Sequence, residues 1–269
     1  MSFSSDLSNI PVIDDSNFHE FEEVIAADGQ PFGRGWEEKP EDEDEGFAAP
    51  FPLPIIPKVE WAERIEEGER TKSFLSHLGD RAGIKRKNQA RTNYCWIHGP
   101  VTAMEYLRAA SGAPYVELSP ASVGAPMTNY ANANGNPAGV GGWGTKGLKY
   151  LAEHGVCSVA SWPNNRIDKR LDNAASRAER AKYRVTEWWD VRGFEQVMTC
   201  LLLRIPVPVG LGWWGHLVMA TDPVVRDGQF GYLFDNSYGA TYGKNGRAVV
   251  IGQKAIPNDA CAPRVVTAA

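Results

Sequence analysis

Cysteine is scarce in this chain of 269 residues: Cys95, Cys157, Cys200 and Cys261 stand far apart, with no CxxC pair. That argues against a structural zinc site and a disulfide scaffold, and points to a reducing compartment. No apolar run reaches the roughly 18 residues a membrane span needs, so no membrane partner is expected. The opening residues MSFSSDLSNIPVIDD show no basic stretch followed by an apolar one. They do not read as a secretory leader, and a location in the cytoplasm or within an intracellularly assembled particle is expected. No internal repeat is present. Among the five histidines, His98 stands three residues after Cys95 without a second ligand pair, so neither a metal nor a cofactor is expected. His19, His77 and His154 have no partner pattern and read as surface or helix residues.

What is present divides unevenly. The net charge is −5, yet residues 1–50 carry 14 acidic and 2 basic side chains, leaving a balance of +7 for residues 51–269. An acidic arm thus precedes a mildly basic body. The arm could be solvated and disordered, docked on its own body, or docked on a protein partner. Its charge disfavours nucleic acid as a partner. EEKPEDEDEG (37–46) is charge-dense and helix-poor, and four prolines between Pro50 and Pro57 favour an extended, semi-rigid linker. The domain boundary is set near Pro57, giving an arm over 1–56 and one domain over 57–269.

Within the domain, a helix is expected over Val59–Leu78. A second runs from Cys95 to Ala110, where Trp96, Val101, Met104 and Leu107 recur at helical spacing and Gly112 is a plausible stop. Ser119-Pro120 reads as an N-cap and first helical residue. Thr145 reads as the cap of a helix ending at Gly155. The last third changes character: IPVPVGLGWW, HLVMATDPVV, FGYLFDNS and GRAVVIGQ are short strand-like runs between turn residues. A helical first half and a stranded second half predict an α+β fold with two lobes, and a cleft between lobes is a favoured substrate site.

Cys95 opens a helix, where free N–H groups and the helix dipole favour a thiolate and hence a nucleophile; a buried, inert cysteine is the other reading. Downstream, His216 opens one strand and Asn236 closes another. A cysteine nucleophile needs a base, and the base needs an orienting group. Gln89, six residues before Cys95, could donate to an oxyanion. The pairs Trp188-Trp189 and Trp213-Trp214 read as core and lobe-interface packing, with Trp214 the stronger cleft candidate of the four.

These elements together resemble the papain-like cysteine peptidases (papain and cathepsin type). The matched pieces are Gln89, Cys95-Trp96, GVGGW (139–143), Gly215-His216 and NSYGATYGKNG from Asn236, covering about residues 57–252. Tyr238 and Tyr242 stand where the family has tryptophans. The resemblance implies a helical lobe over about 92–190 carrying the cysteine, and an antiparallel, β-barrel-like lobe over about 191–260 carrying histidine and asparagine. It implies Cys95 as nucleophile, His216 as base and then acid, Asn236 as its orienter, and Gln89 with the Cys95 amide as oxyanion hole. Gly141 and Gly142 would pair with a peptide backbone, Tyr238 would shield the His216–Asn236 bond, and Trp96 and Trp214 would line the substrate cleft.

Several positions depart from the family pattern. Thr92 and Gly139 stand where a cysteine pair is usual. Asn93 replaces a glycine and is expected to tolerate a left-handed backbone. Tyr94 replaces a serine and is expected to narrow the cleft. The arm is shorter than the usual inhibitory propeptide and lacks its helical pattern. The expectation is a cysteine-type peptidase acting on peptide or protein substrates. The alternative is a papain-like fold serving in a large assembly, such as a virus particle, with the arm on a partner.

Overall fold

The computed structural model describes residues 9–26, 29–40, 48–131 and 141–266. Seven α-helices and eight strands are described. In chain order they are β1 Val12–Ile13, β2 Ala48–Ala49, α1 Lys58–Thr71, α2 Leu75–Ala82, α3 Cys95–Ala110, α4 Ala121–Met127, α5 Gly144–Glu153, α6 Ala174–Arg180, β3 Val185–Asp190, α7 Gly193–Leu202, β4 Val207–Leu211, β5 His216–Arg226, β6 Gln229–Asp235, β7 Arg247–Ile251 and β8 Asp259–Val266. The expected α+β architecture is the one found. No described helix is long and apolar enough to cross a membrane.

The strands form one sheet in the order β1-β7-β6-β5-β4-β8-β3-β2. From β4 to β7, hairpins alternate apolar residues into a core containing Val209, Val218, Tyr232, Phe234 and Val250. Strand β8 then joins that region to β3, pairing with both. The two edges of the sheet are covered by the arm: β1 runs parallel to β7, and β2 parallel to β3. Unpaired edges invite intermolecular pairing, and here each is capped by two residues of the same N-terminal segment. The described part of the arm is therefore docked on its own body.

Helix α3 is buried on nearly every side and packs Trp96, Ile97, Val101 and Met104 against α5, β5 and β8. It forms the backbone of the helical lobe and presents its first residue to the other lobe. The helix expected over 59–78 is two helices. Lys72 adopts φ +51° and closes α1, with Gly68 lying so close to Phe74 that a Cβ would meet the ring at 2.1 Å. Trp61 and Ile65, four residues apart on α1, face Met198 and Leu202 of α7 together with Phe230.

Two expected caps are not made by the side chains proposed. The hydroxyls of Ser119 and Thr145 are buried without a hydrogen-bond partner. Helix α5 begins instead at Gly144, whose N–H donates to Asp259 Oδ2 at 3.2 Å, so a carboxylate from β8 does the capping across the lobe boundary.

A buried ionic cluster locks α2 and the segment after it to the stranded lobe. Asp235 accepts from Arg86 Nη1 and Arg247 Nε at 2.8 Å each, and from Tyr106 at 2.7 Å. Both arginines also reach Asp80. Burial is the largest single influence on the Asp235 carboxyl and raises its pKa, but the two guanidinium groups and the Tyr106 hydroxyl together outweigh it and hold the pKa below its ordinary value.

Candidate active site

Cys95 is the first residue of α3 and is fully buried. His216 opens β5 after a hairpin turn in which Gly215 takes φ +59°. Asn236 follows β6 and the Asp235 cluster directly, and its N–H donates to Gly246 O at 2.8 Å. Gln89 is tied to this strand end twice: its N–H donates to Ser237 O at 2.7 Å, and its Oε1 accepts from the Ser237 hydroxyl. Three segments far apart in the chain, carrying Gln89 with Cys95, His216 and Asn236, are thus fixed by one helix start, one hairpin and one strand end.

Asn236 Oδ1 accepts from the Ser237 N–H at 2.7 Å and lies 2.8 Å from His216 Nε2. An atom that accepts from a backbone N–H is an oxygen, so Nε2 carries the imidazole proton and Nδ1 is the free base. The Tyr238 hydroxyl donates to Nδ1 at 3.3 Å. Tyr238 also stacks on the imidazole, ring centroids 4.6 Å apart, while Trp214 meets it edge-on at 4.8 Å. Both rings are almost fully buried. Burial pushes the His216 pKa down to about 4; the bond to Asn236 opposes this and Arg34 adds to it.

The arm lies across these residues. Gly35 N–H donates to Cys95 Sγ at 3.3 Å, and Gly33 O accepts from Gln89 Nε2 at 2.7 Å. Gly142 N–H donates to Gly35 O and Gly142 O accepts from Glu37 N–H, each at 2.9 Å, so Trp36 forms a parallel bridge with Gly142. Phe32 stacks on Tyr238 at 4.4 Å. The arm's glycines are required by space: a Cβ at Gly33 would sit 2.3 Å from Thr92 O, and one at Gly35 2.2 Å from Asn93 O.

This cover alters the chemistry expected of the thiol. Sequence reasoning made Cys95 a thiolate by virtue of the helix start. With the arm in place, burial dominates and raises its pKa, although backbone N–H groups of Gly35, Leu217, Trp96 and Trp36 act against it. A neutral thiol and a neutral imidazole are the resting pair.

Other expectations are corrected by position. Tyr94 does not face the cleft: its ring packs on Gly124 of α4, and its hydroxyl meets Thr128 Oγ1 at 3.0 Å. Asn93 is not left-handed; the positive φ falls on Ala90, at +49°. Trp96 is fully buried behind Gly142, where a Cβ would lie 2.7 Å from its ring, so it backs the cleft wall rather than lining it. Gly141 faces the Glu37 side chain, and its carbonyl accepts from Lys146 Nζ at 3.4 Å. Gly139 lies outside the described residues, while Thr92 Oγ1 donates to Gln89 O at 2.7 Å. His98 is buried with Nδ1 unpartnered, and no group of metal-ligating side chains occurs among the described residues. All four cysteines are free and buried.

No family model and no curated protein matches the sequence. Solved structures do. Procathepsin L 3 of the Tenebrio molitor larval midgut superposes with a TM-score of 0.60 at 16% identity, over 93% of this chain and 86% of that one. The fold is papain-like. The procathepsin B S9 of Trypanosoma congolense gives a TM-score of 0.60 at 13% identity over 90% and 93% of the two chains. Xylellain, a cysteine protease from Xylella fastidiosa, gives 0.53 at 15% over 88% and 97%. Within this papain-like fold, sequence reasoning missed Ser237, the Asp235 cluster and the arm residues Phe32–Glu37. The glycines of GRGW (33–36), set in an acidic arm, were the available signal.

Proposed function

We propose that this chain is a thiol peptidase whose N-terminal arm holds it inactive. The observation that carries the reading is the path of Gly33–Glu37. Peptide backbone already lies along Gly142, with an amide on the Cys95 sulphur and a carbonyl on the Gln89 side chain. A cleft that binds its own backbone this way can bind that of a substrate.

In this reading Cys95 Sγ loses its proton to His216 Nδ1 and attacks the substrate carbonyl. Gln89 Nε2 and the Cys95 N–H receive the developing oxyanion. The imidazolium then protonates the leaving amine, and the resulting thioester is hydrolysed by water that gives its proton to His216. Asn236 Oδ1 keeps Nε2–H oriented throughout, while Tyr238 and Trp214 keep water off that bond. The Tyr238 hydroxyl must yield Nδ1 to the thiol before the first step. The Tenebrio and Trypanosoma neighbours are both described as proenzymes, which accords with a propeptide role for residues 1–56. Docking of the arm on its own body favours this over an assembly role with the arm on a partner. The four free thiols accord with a reducing compartment.

Intact mass before and after a thiol-directed epoxide, on wild type and Cys95→Ala in parallel, tests the proposal. Wild type is expected to take up one equivalent, with a mass loss in the arm region on activation. Equal behaviour of the two proteins, with no cleavage of a broad peptide library, would overturn it.

A further inference from the structure

On the peptidase reading, which this inference rests on, the cleft must also select among substrate side chains. Trp36 sits between Gly142 and Gly210, and a Cβ on Gly210 would fall 2.1 Å from its Nε1, so the seat admits a flat group. At the seat's inner end is Asp259, 9% exposed, whose Oδ2 caps α5 through Gly144. The Trp36 indole N–H has no hydrogen-bond partner, yet it is near enough to Asp259 to lower that carboxyl's pKa. Beyond Asp259 opens a cavity of about 350 Å³ lined also by Lys39, Asp190, Arg192 and Asn258. Asp190 is equally buried, and Lys39 of the arm reaches its Oδ1 at 3.6 Å. The other Asp190 oxygen takes Arg192 Nε at 2.6 Å, from a side chain that is 80% exposed.

We propose that this pocket selects substrates carrying a cationic side chain, arginine foremost, in the seat held here by Trp36, with Asp259 as the specificity-determining residue. The arm supplies the pocket with one flat N–H group and one cation, and a guanidinium combines both in a single side chain. Burial raises the Asp259 pKa, with Asp190 adding to the rise, while Gly144, Lys39 and Trp36 bring it down. Two of those three leave with the arm. A buried carboxylate left with the Gly144 N–H alone is under-paired, and it remains so when an aliphatic or acidic side chain enters. Arginine is planar, stays charged and offers five N–H donors, which suits a slot ending in one carboxylate and opening toward a second. Rejection of the wrong side chain follows from leaving a buried polar group unpaired.

The arm of the full-length chain provides the test, because its own residue 36 can be varied without any turnover. The rate of Cys95 alkylation by iodoacetamide reads arm opening in Trp36→Arg and Trp36→Glu, each with and without Asp259→Asn. With Asp259 present, the glutamate variant is expected to react at least about tenfold faster than the arginine variant, and Asp259→Asn should bring the two rates together. Equal rates with Asp259 intact would overturn the inference. A position-scanned peptide library on self-processed full-length protein is the second measurement. Cleavage with no basic preference at any position would refute the selectivity and leave the peptidase reading standing. No cleavage, with the alkylation difference intact, would refute the peptidase reading and leave the pocket's preference standing.

Discussion

Acid should loosen the arm, and the size of the effect can be worked from His216. Docked, the imidazole is dry and protonates only at a pKa of about 4. With the arm lifted, water returns and the ring moves toward its ordinary 6.5. Between those two values the released form binds more protons than the docked form, so falling pH favours release. Above about pH 6.5 both forms are neutral and the docked state keeps its full advantage; below about pH 4 both are protonated and the weakening stops. From pH 7 to pH 5 the linkage predicts about a twentyfold loss in the docking equilibrium, about 2 kcal/mol. Amide hydrogen exchange of residues 32–37, corrected for the intrinsic pH dependence, measures this opening directly. His216→Gln removes the titrating ring while keeping a polar side chain, and its protection should change far less over the same interval. An unchanged protection factor in wild type between pH 7 and pH 5, or an equal fall in His216→Gln, would refute the reasoning.

Other perturbations have distinct expected outcomes. Gly35→Ala places a methyl group against Asn93 O, so the arm should lift and Cys95 should alkylate at least about tenfold faster, by intact mass, with the melting temperature of the body little changed. Gln89→Ala removes an oxyanion donor and should lower kcat about 10²–10³-fold on peptide substrates, whereas a change confined to KM would argue against that role. Asp235→Asn leaves Arg86 and Arg247 sharing a neutral group inside the cluster. It should cost about 3–5 kcal/mol in urea denaturation, and a loss below about 1 kcal/mol would show that the cluster contributes little. Trp61→Ala opens the α1–α7 contact and should cost about 3–5 kcal/mol by the same assay.

The candidate set Cys95, His216 and Asn236 was singled out by motif and spacing, and in the structure a helix start, a hairpin and a strand end each carry one of the three. Helix α3 was found to its ends because Trp96, Val101, Met104 and Leu107 recur at helical spacing, although the structure buries nearly all of its faces. Helix α1 was overrun, since nothing in KSFL announces that Lys72 turns left-handed. Caps were misassigned for a physical reason. Thr145 is local and plausible, but the group that satisfies α5 is Asp259, distant by 115 positions from the amide it caps. Tyr94 was placed in the cleft by analogy with a smaller residue, while its ring had an apolar slot over Gly124 available. The largest gap was the arm. Across the cleft it docks through backbone beside glycines whose lack of a side chain is the contact. Elsewhere Ile13, Phe18, Phe21, Val24 and Phe32 pack on the core at no regular spacing, so there is no hydrophobic period to read. The thiolate expectation weighed the helix start alone and left out burial, which raises the Cys95 pKa even though the backbone N–H groups of Gly35 and Trp36 act against that rise.

The arm's two edge strands make it a bivalent tether. β1 and β2 pair over only two residues each, and each holds partly because the other keeps it at high effective concentration. A single break between Trp36 and Ala48 ends that reinforcement unequally. Ala48–Ala49 remain covalently joined to α1 through the proline linker and go on seeking β3. The piece bearing Val12–Ile13 becomes a separate peptide, free to dilute away from β7. Proteolysis of the arm therefore makes one end of the sheet concentration-dependent and leaves the other unimolecular, so a nicked chain should keep its cover when concentrated and shed it when diluted.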